Sequence, residues 1–118
     1  MIMRIELENR LVELSLGINE ICKSLDKNYL AQHLSTQILR SSSSAALNYG
    51  EAQAAESKRD FIHKVSIVLK ELRETKVSLK LLKSSVSQEM QLTFNKCQNE
   101  CDQLIAIFHK TVISAKST

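Results

Sequence analysis

The sequence has no proline and only two glycines, Gly17 and Gly50, among its 118 residues. Sheet proteins depend on Gly, Pro, Asn and Asp for their turns, so this composition argues against a β-sheet. The chain also has no tryptophan, two tyrosines and three phenylalanines, so aliphatic side chains must fill most of any core. An all-α domain with one hydrophobic core is the fold class that these absences favour.

Long apolar runs are also missing from the sequence. No segment approaches the ~20 apolar residues that a membrane-spanning helix needs. The first residues, "MIMRIELENR", mix both charge signs and lack the apolar centre of a signal peptide. The cysteines Cys22, Cys97 and Cys101 are odd in number, so at least one is expected to stay unpaired. These features predict a cytoplasmic protein.

Apolar residues recur at alternating intervals of four and three residues, which is typical of amphipathic helices packed along a seam. Consecutive helices with short connections are antiparallel neighbours. The chain is therefore predicted to form a single domain over 1–118, an up-down-up-down four-helix bundle. The predicted helices cover residues 3–26, 29–56, 57–83 and 88–115.

The second of these segments contains four consecutive serines, Ser41 to Ser44, within a stretch of small and polar residues. Such a composition is common in flexible linkers. However, serine does not break helices, and the four-three register continues through the run. Small seam residues would also allow a close approach of neighbouring helices, which favours a helix over a linker. The seam residues are Leu30, Leu34, Ile38, Ser41, Ala45, Asn48, Ala52 and Ala55.

Several apolar residues lie outside the seams, in excess of the roughly three in seven positions that a monomeric bundle buries. Scattered single apolar residues are normal on a surface. The excess nevertheless favours a second buried face and hence a homo-oligomer. The residues are Val12, Leu16, Ile62, Ile67, Leu69, Val77, Leu81, Leu92, Ile105 and Ile107.

Basic residues concentrate on one face of the third helix, and we call this set the basic stripe. At 100° per residue they share one arc, which extends roughly 37 Å along the helix axis, long enough to follow several phosphates. A solvated surface with intrahelical ion pairs is the simpler explanation of such a face. The stripe consists of Lys58, Arg59, Lys70, Arg73, Lys76, Lys80 and Lys83.

Residues that could carry catalysis or bind a metal are few. His33, His63 and His109 lack a second ligand at the spacing of a metal set. Cys97 and Cys101 lie four residues apart on the fourth seam, where small core residues are a simpler explanation than a metal or redox site. We therefore predict a non-enzymatic protein without a cofactor or metal.

Residues 37–85, "QILRSSSSAALNYGEAQAAESKRDFIHKVSIVLKELRETKVSLKLLKSS", contain a longer motif. They resemble the bacterial four-helix-bundle proteins encoded in intervening sequences of 23S ribosomal RNA genes. The chain departs from that family at Tyr49-Gly50, where Ile-Ala is usual. The positions that match are Arg40, Ser41, Asn48, Glu51, Ser57, Lys58, Asp60, Phe61, Lys64, Ser66, Lys70, Glu71, Arg73, Glu74 and Thr75.

The resemblance implies a homopentameric ring of four-helix bundles. Most members of the family have no assigned biochemical role. A similar protein is the accessory variability determinant of diversity-generating retroelements, a positively charged pentamer that binds nucleic acid and works with a reverse transcriptase. RNA or DNA, and a reverse transcriptase or another protein, are therefore the expected partners. The predicted function is that of an oligomeric nucleic-acid-binding adaptor that uses the basic stripe; the alternative is a protein–protein interaction scaffold.

Four polar residues of the motif, Arg40, Asn48, Glu51 and Glu74, are predicted to form one structural cluster between helices two and three. Small Ser and Ala side chains would let these longer groups meet, and a satisfied polar network fixes register. A catalytic role for the same residues is the less favoured alternative.

Overall fold

A computed structural model describes residues 2–117, with side chains from Arg4 onward. This part of the chain consists of helices and short connections and contains no β-strand. Two 3₁₀ turns, Lys83–Ser85 and Gln88–Met90, connect the last two helices. The four helices are α1 (Ile2–Lys23), α2 (Tyr29–Gln53), α3 (Lys58–Leu82) and α4 (Gln91–Lys116).

Each helix packs against the next one in the chain, and α4 packs against α1. Neighbouring helices are antiparallel, because contacts move down one helix as they move up the other. Between α2 and α3, for example, Ser41 meets Thr75 and Glu51 meets Lys64. The all-α four-helix prediction is therefore confirmed.

The helices α2 and α3 both begin at a residue whose side chain accepts a hydrogen bond from the backbone of the first turn. Asn28 accepts from the Ala31 amide at 2.8 Å, and Ser57 accepts from the Asp60 amide at 3.0 Å. Such N-caps satisfy amide groups that have no partner within the helix. The predicted break between residues 56 and 57 coincides with the Ser57 cap.

The serine run is helical and lies in the middle of α2. Ser41 and Ser42 are buried and face different neighbours. The Ser41 hydroxyl lies 2.8 Å from the Thr75 hydroxyl on α3, and the Ser42 hydroxyl lies 3.1 Å from that of Ser15 on α1. Because the serine side chains are short, α2 contacts both helices closely at this level.

The core follows the predicted seams, except near the ends of α2 and α4. Leu30 is exposed and Ala31 is buried, while Val112 is more deeply buried than Thr111. A straight helix has 3.6 residues per turn and drifts from a seven-residue repeat, so the buried position shifts by one residue at the ends. The largest fully buried side chains are Phe94, Phe108, Leu11, Ile18, Ile21, Ile38, Leu72, Leu79, Leu82, Leu104, Val65 and Val68.

Gly17 on α1 lies against Cys97 on α4. A Cβ atom added at Gly17 would lie 2.9 Å from the Cys97 sulfur, nearer than atoms in van der Waals contact. The glycine therefore accommodates the Cys97 side chain.

Among the described residues no helix is both long and apolar enough to cross a membrane.

Candidate nucleic-acid interface

The basic stripe lies along the outer surface of α3. Six of its residues are exposed, and Lys76 is half-buried. Among the described residues, the side chains of Lys58, Arg59, Lys80 and Lys83 form no ion pair, so their charges face solvent. Exposed cations of this kind can exchange water and counterions for phosphate oxygens.

Two stripe residues are tied to α4. The Lys76 ammonium lies 3.0 Å from an Asp102 carboxylate oxygen, and Arg73 Nη2 lies 3.5 Å from His109 Nδ1. Asp102 therefore partly neutralises Lys76, which sits in a small groove between α3 and α4. The other residues of the basic stripe lie on both sides of these two contacts along the helix.

A groove of about 620 Å³ runs between α2 and α3 beside the middle of the stripe. Its basic side is formed by Lys70 and Arg73, together with Arg40 from α2. Its apolar side includes Val77 and Leu81, which are about half exposed. The groove thus combines positive charge with apolar surface that this chain leaves uncovered.

The other surplus apolar residues separate into two groups. Leu69 is buried inside the bundle, and Ile62, Ile67, Ile105 and Ile107 are half-buried. The single chain therefore accounts for these residues, at least in part. The residues that stay exposed are Val12, Leu16, Val77, Leu81 and Leu92.

Arg40 joins α2 to α3 at the groove wall. Its guanidinium donates to Glu74 at 3.2 Å and lies 3.5 Å from Glu71. Glu71 is only 5% exposed, and its burial together with the neighbouring Glu74 carboxylate raises the pKa of Glu71, against the opposing effect of Arg40. Glu71 belongs to the motif but was not predicted to join the polar cluster, because its burial depends on the packing of α2 against α3.

The predicted cluster of four polar residues does not form as one unit. Arg40 and Glu74 are in contact, but Glu51 pairs with Lys64 at 2.9 Å, and the Asn48 amide donates to the Ser44 carbonyl of its own helix at 2.9 Å. Glu51 lies about 16 Å along α2 from Arg40 at 1.5 Å per residue, and Asn48 points about 80° away from it. The antiparallel helices therefore carry two separate ion-pair sites instead of one cluster.

The two cysteines of α4 are buried and free. Burial raises the pKa of Cys97 to about 11 and that of Cys101 to about 12. The Cys101 thiol donates to the Leu72 carbonyl at 3.4 Å, which joins α4 to α3. Within the described part of the chain, no group of three or more His, Cys, Asp or Glu residues is arranged to hold a metal.

Comparison with known proteins places the chain in a family. The model of the family described as 23S rRNA-intervening sequence protein matches residues 4–110. The chain belongs to this family. No curated protein matches the sequence.

A solved structure shows the same fold. It is described as a protein with unknown function from the S23 ribosomal protein family of Bacteroides thetaiotaomicron VPI-5482. The two chains are 28% identical, and the alignment covers 90% of this chain and 97% of the other with a TM-score of 0.75. Because the match spans nearly all of both chains, the whole bundle is common to them.

The family motif spans parts of two helices. It runs from the second half of α2 into α3, through the Ser57 cap. Several of its residues contact the neighbouring helix: Ser41 with Thr75, Arg40 with Glu71 and Glu74, and Glu51 with Lys64. The motif therefore includes residues that form the contact between α2 and α3.

Proposed function

We propose that this protein is a non-enzymatic, oligomeric adaptor that binds nucleic acid through the basic stripe of α3. The observation that carries the proposal is the row of exposed cations along one helix, of which Lys58, Arg59, Lys80 and Lys83 form no ion pair among the described residues. Phosphate contacts from Lys and Arg supply most of the affinity of sequence-independent binding. The absence of stacking aromatic residues along the stripe is consistent with binding to the backbone and not to the bases.

The proposal includes self-association, with a pentameric ring as the expected form. Val77 and Leu81 leave an apolar strip uncovered in the α2–α3 groove, and Val12 and Leu16 do so on α1. Contact between subunits would remove such surfaces from water. In a ring, the stripes of all subunits would repeat around one axis and their positive potentials would add.

The mass of the particle in solution tests the oligomer. Sedimentation equilibrium is expected to give about five times the 13.3 kDa of the chain. Substitution of Val77 and Leu81 by Ser is expected to lower this mass without loss of helix content. A wild-type monomer at micromolar concentration would contradict this part of the proposal.

Binding to single-stranded RNA and DNA at several salt concentrations tests the stripe. The logarithm of the affinity should fall linearly with the logarithm of salt concentration, and each stripe cation removed should reduce that slope by about one. The test variant replaces Arg59, Lys80 and Lys83 by Gln. The matched control replaces Lys23, Lys27 and Lys96 by Gln, which removes the same charge from exposed positions outside α3.

The two triple variants separate a specific surface from general attraction. The stripe variant is expected to lose most of its affinity, while the control keeps nearly all of it. Equal losses in the two variants would show that only net charge matters. Binding that is absent, or insensitive to salt, would refute the proposed function.

A protein–protein scaffold is the second candidate, favoured by the uncovered apolar side of the α2–α3 groove. In that case a protein, such as a reverse transcriptase, would contact Val77 and Leu81. The Val77→Ser and Leu81→Ser variant would then lose a protein partner in purification from the source cell, whereas the stripe variant would retain it. Recovery of nucleic acid with the wild-type protein and loss of it with the stripe variant would favour the first candidate instead.

A further inference from the structure

A second concave site lies at one end of the bundle, where α1 begins, α2 ends and α3 begins. It is a cavity of about 370 Å³. Of the basic stripe only Lys58 reaches it, so the cavity is distinct from the stripe and from the α2–α3 groove. Its polar and aromatic lining consists of Arg4, Tyr49, Gln53, Ser57, Lys58 and Phe61.

Tyr49 is a buried residue whose hydroxyl has no partner. Only 5% of Tyr49 is exposed, and its ring packs edge-on against Phe108 with ring centroids 5.2 Å apart. The hydroxyl makes no hydrogen bond to any described residue. Every fully occluded side-chain nitrogen or oxygen in this part of the chain has a partner, so the Tyr49 oxygen is not fully occluded. Tyr49 lines the cavity, which is therefore the space that its hydroxyl is inferred to face.

A tyrosine hydroxyl in this position is a free hydrogen-bond donor. Buried tyrosines usually direct the hydroxyl to a hydrogen-bond partner, and no described residue supplies one to Tyr49. Burial raises the pKa of Tyr49, so the hydroxyl stays protonated at neutral pH. The group that fills the cavity is therefore expected to be a hydrogen-bond acceptor.

The charges around the cavity favour an anion. Arg4 and Lys58 line it, and Arg4 is close enough to act electrostatically on Tyr49. The amino-terminal end of α3 contributes further positive potential, because the first amide groups of a helix have no partner within it. Of the first three amide groups of α3, only that of Asp60 donates a hydrogen bond to the Ser57 side chain.

Carboxylates lie nearby, including Glu56 between the lining residues Ala55 and Ser57, but no carboxylate lines the cavity. Glu8 acts electrostatically on Tyr49 and accepts a hydrogen bond from Gln53 at 3.2 Å. Asp60 lies in the first turn of α3. Arg4 and Lys58 are the charged residues that line the cavity itself, although Glu8 is expected to weaken the binding of an anion.

We propose that this cavity binds a phosphate group, with the Tyr49 hydroxyl, Arg4, Lys58 and the start of α3 as donors. Helix starts flanked by cations are suited to phosphate. The cavity is larger than a phosphate ion requires, and Phe61, Ala52 and Ala55 form an apolar wall beside the donors. A phosphate monoester, either a small molecule or the phosphorylated end of a nucleic-acid strand, fits this combination.

Calorimetric titration with inorganic phosphate tests the donors. Tyr49→Phe keeps the ring and its contact with Phe108 but removes the hydroxyl, and it should weaken phosphate binding about tenfold, as expected for a hydrogen bond to a charged group. Lys58→Gln should weaken binding by a similar factor. The matched control is Arg59→Gln, which removes the same charge at the next residue, outside the cavity lining.

Glu8→Gln gives a test in the opposite direction. It removes the negative charge near Tyr49 while keeping an acceptor for Gln53, so phosphate should bind several-fold more tightly. Circular dichroism and thermal unfolding of each variant verify that the bundle is intact. The proposal is overturned if wild-type protein binds no phosphate at millimolar concentration, or if Tyr49→Phe and Lys58→Gln leave the affinity unchanged.

An oligonucleotide with and without a 5′-phosphate distinguishes the two sources of the phosphate. A preference for the phosphorylated strand that disappears in Tyr49→Phe assigns the cavity to a nucleic-acid end. Binding of inorganic phosphate without such a preference assigns it to a small phosphate compound. The stripe variant retains Lys58, so loss of strand binding in that variant with phosphate binding intact separates this proposal from the proposed function.

Discussion

The hydroxyl groups of Ser41 and Thr75 lie 2.8 Å apart in the buried contact between α2 and α3. Each residue also interacts with a carbonyl of its own helix: Ser41 with Ile38 at 3.3 Å and Thr75 with Glu71 at 2.8 Å. Two small hydroxyl side chains thus hold the helices close together and leave neither oxygen unsatisfied. Serine at this position is a packing residue.

Substitution of Ser41 separates the size of the side chain from its hydrogen bond. Ser41→Ala should lower the free energy of unfolding by about 1 kcal/mol, since Thr75 keeps its bond to the Glu71 carbonyl. Ser41→Leu should cost more, about 1–3 kcal/mol, because the larger side chain overfills the contact. Urea unfolding at one fixed protein concentration measures both, and a Leu variant as stable as the wild type would contradict the close packing.

Most of the bundle was predictable because it depends on periodicity. The four-three spacing predicted Leu34, Ile38, Ser41 and Ala45 as seam residues of the second helix, and all four are buried. Heptad spacing depends only on the position along a helix, so it does not require knowledge of the neighbouring helix.

The polar contacts were less predictable because they depend on which residues face each other across a helix pair. The motif contained Arg40, Glu71 and Glu74, but the register of α2 against α3 decides that Arg40 meets both carboxylates and that Glu51 meets Lys64. The cavity lined by Tyr49 and Lys58 requires three chain segments to come together, including Arg4 from the first turn of α1. In the sequence, Tyr49 appeared only as a departure from the family motif.

Gly17 and Cys97 provide a test of the α1–α4 contact. Gly17→Ala would gain about 1 kcal/mol of helix propensity but would place a carbon 2.9 Å from the Cys97 sulfur. Overpacking costs about 1–3 kcal/mol, so the variant should be less stable than the wild type. In a Cys97→Ala background the clash is absent, and the same glycine substitution should stabilise the protein.

Urea unfolding of these four proteins forms a double-mutant cycle, which isolates the interaction between the two positions. A stabilising Gly17→Ala in the wild-type background would show that Cys97 can move aside without cost.

Glu71 gives the stability of the protein a specific dependence on pH. Because the pKa of Glu71 is raised in the folded state by burial and by Glu74, the folded protein retains this proton to higher pH than the unfolded chain does. Stability from this residue is therefore present below the ordinary glutamate pKa of about 4.3 and is lost as pH rises through the folded-state value. Glu71→Gln should remove this part of the pH dependence and should be at least as stable as the wild type at pH 7.

The difference between the unfolding free energies of wild type and Glu71→Gln, measured from pH 4 to pH 8, isolates the residue from other carboxylates. Glu13→Gln serves as the matched control, because Glu13 is exposed on α1 and lies outside the ion-pair site of Arg40. A Glu71→Gln variant that is destabilised at neutral pH would show that attraction to Arg40 outweighs the cost of burying the carboxylate.

The cysteines should differ in their reactivity toward a disulfide reagent that releases a coloured thiolate. The attacking species is the thiolate, and with a pKa of about 11 only about one Cys97 thiol in a thousand is ionised at pH 8. Cys101 is ionised still less, because burial raises its pKa to about 12. Cys22 is half-buried, so it should account for the single thiol that reacts with the native protein, and all three should react after unfolding in urea. Cys22→Ser should abolish the native reaction, whereas rapid modification of two or three thiols in the folded wild type would contradict the assignment of Cys97 and Cys101 to the core.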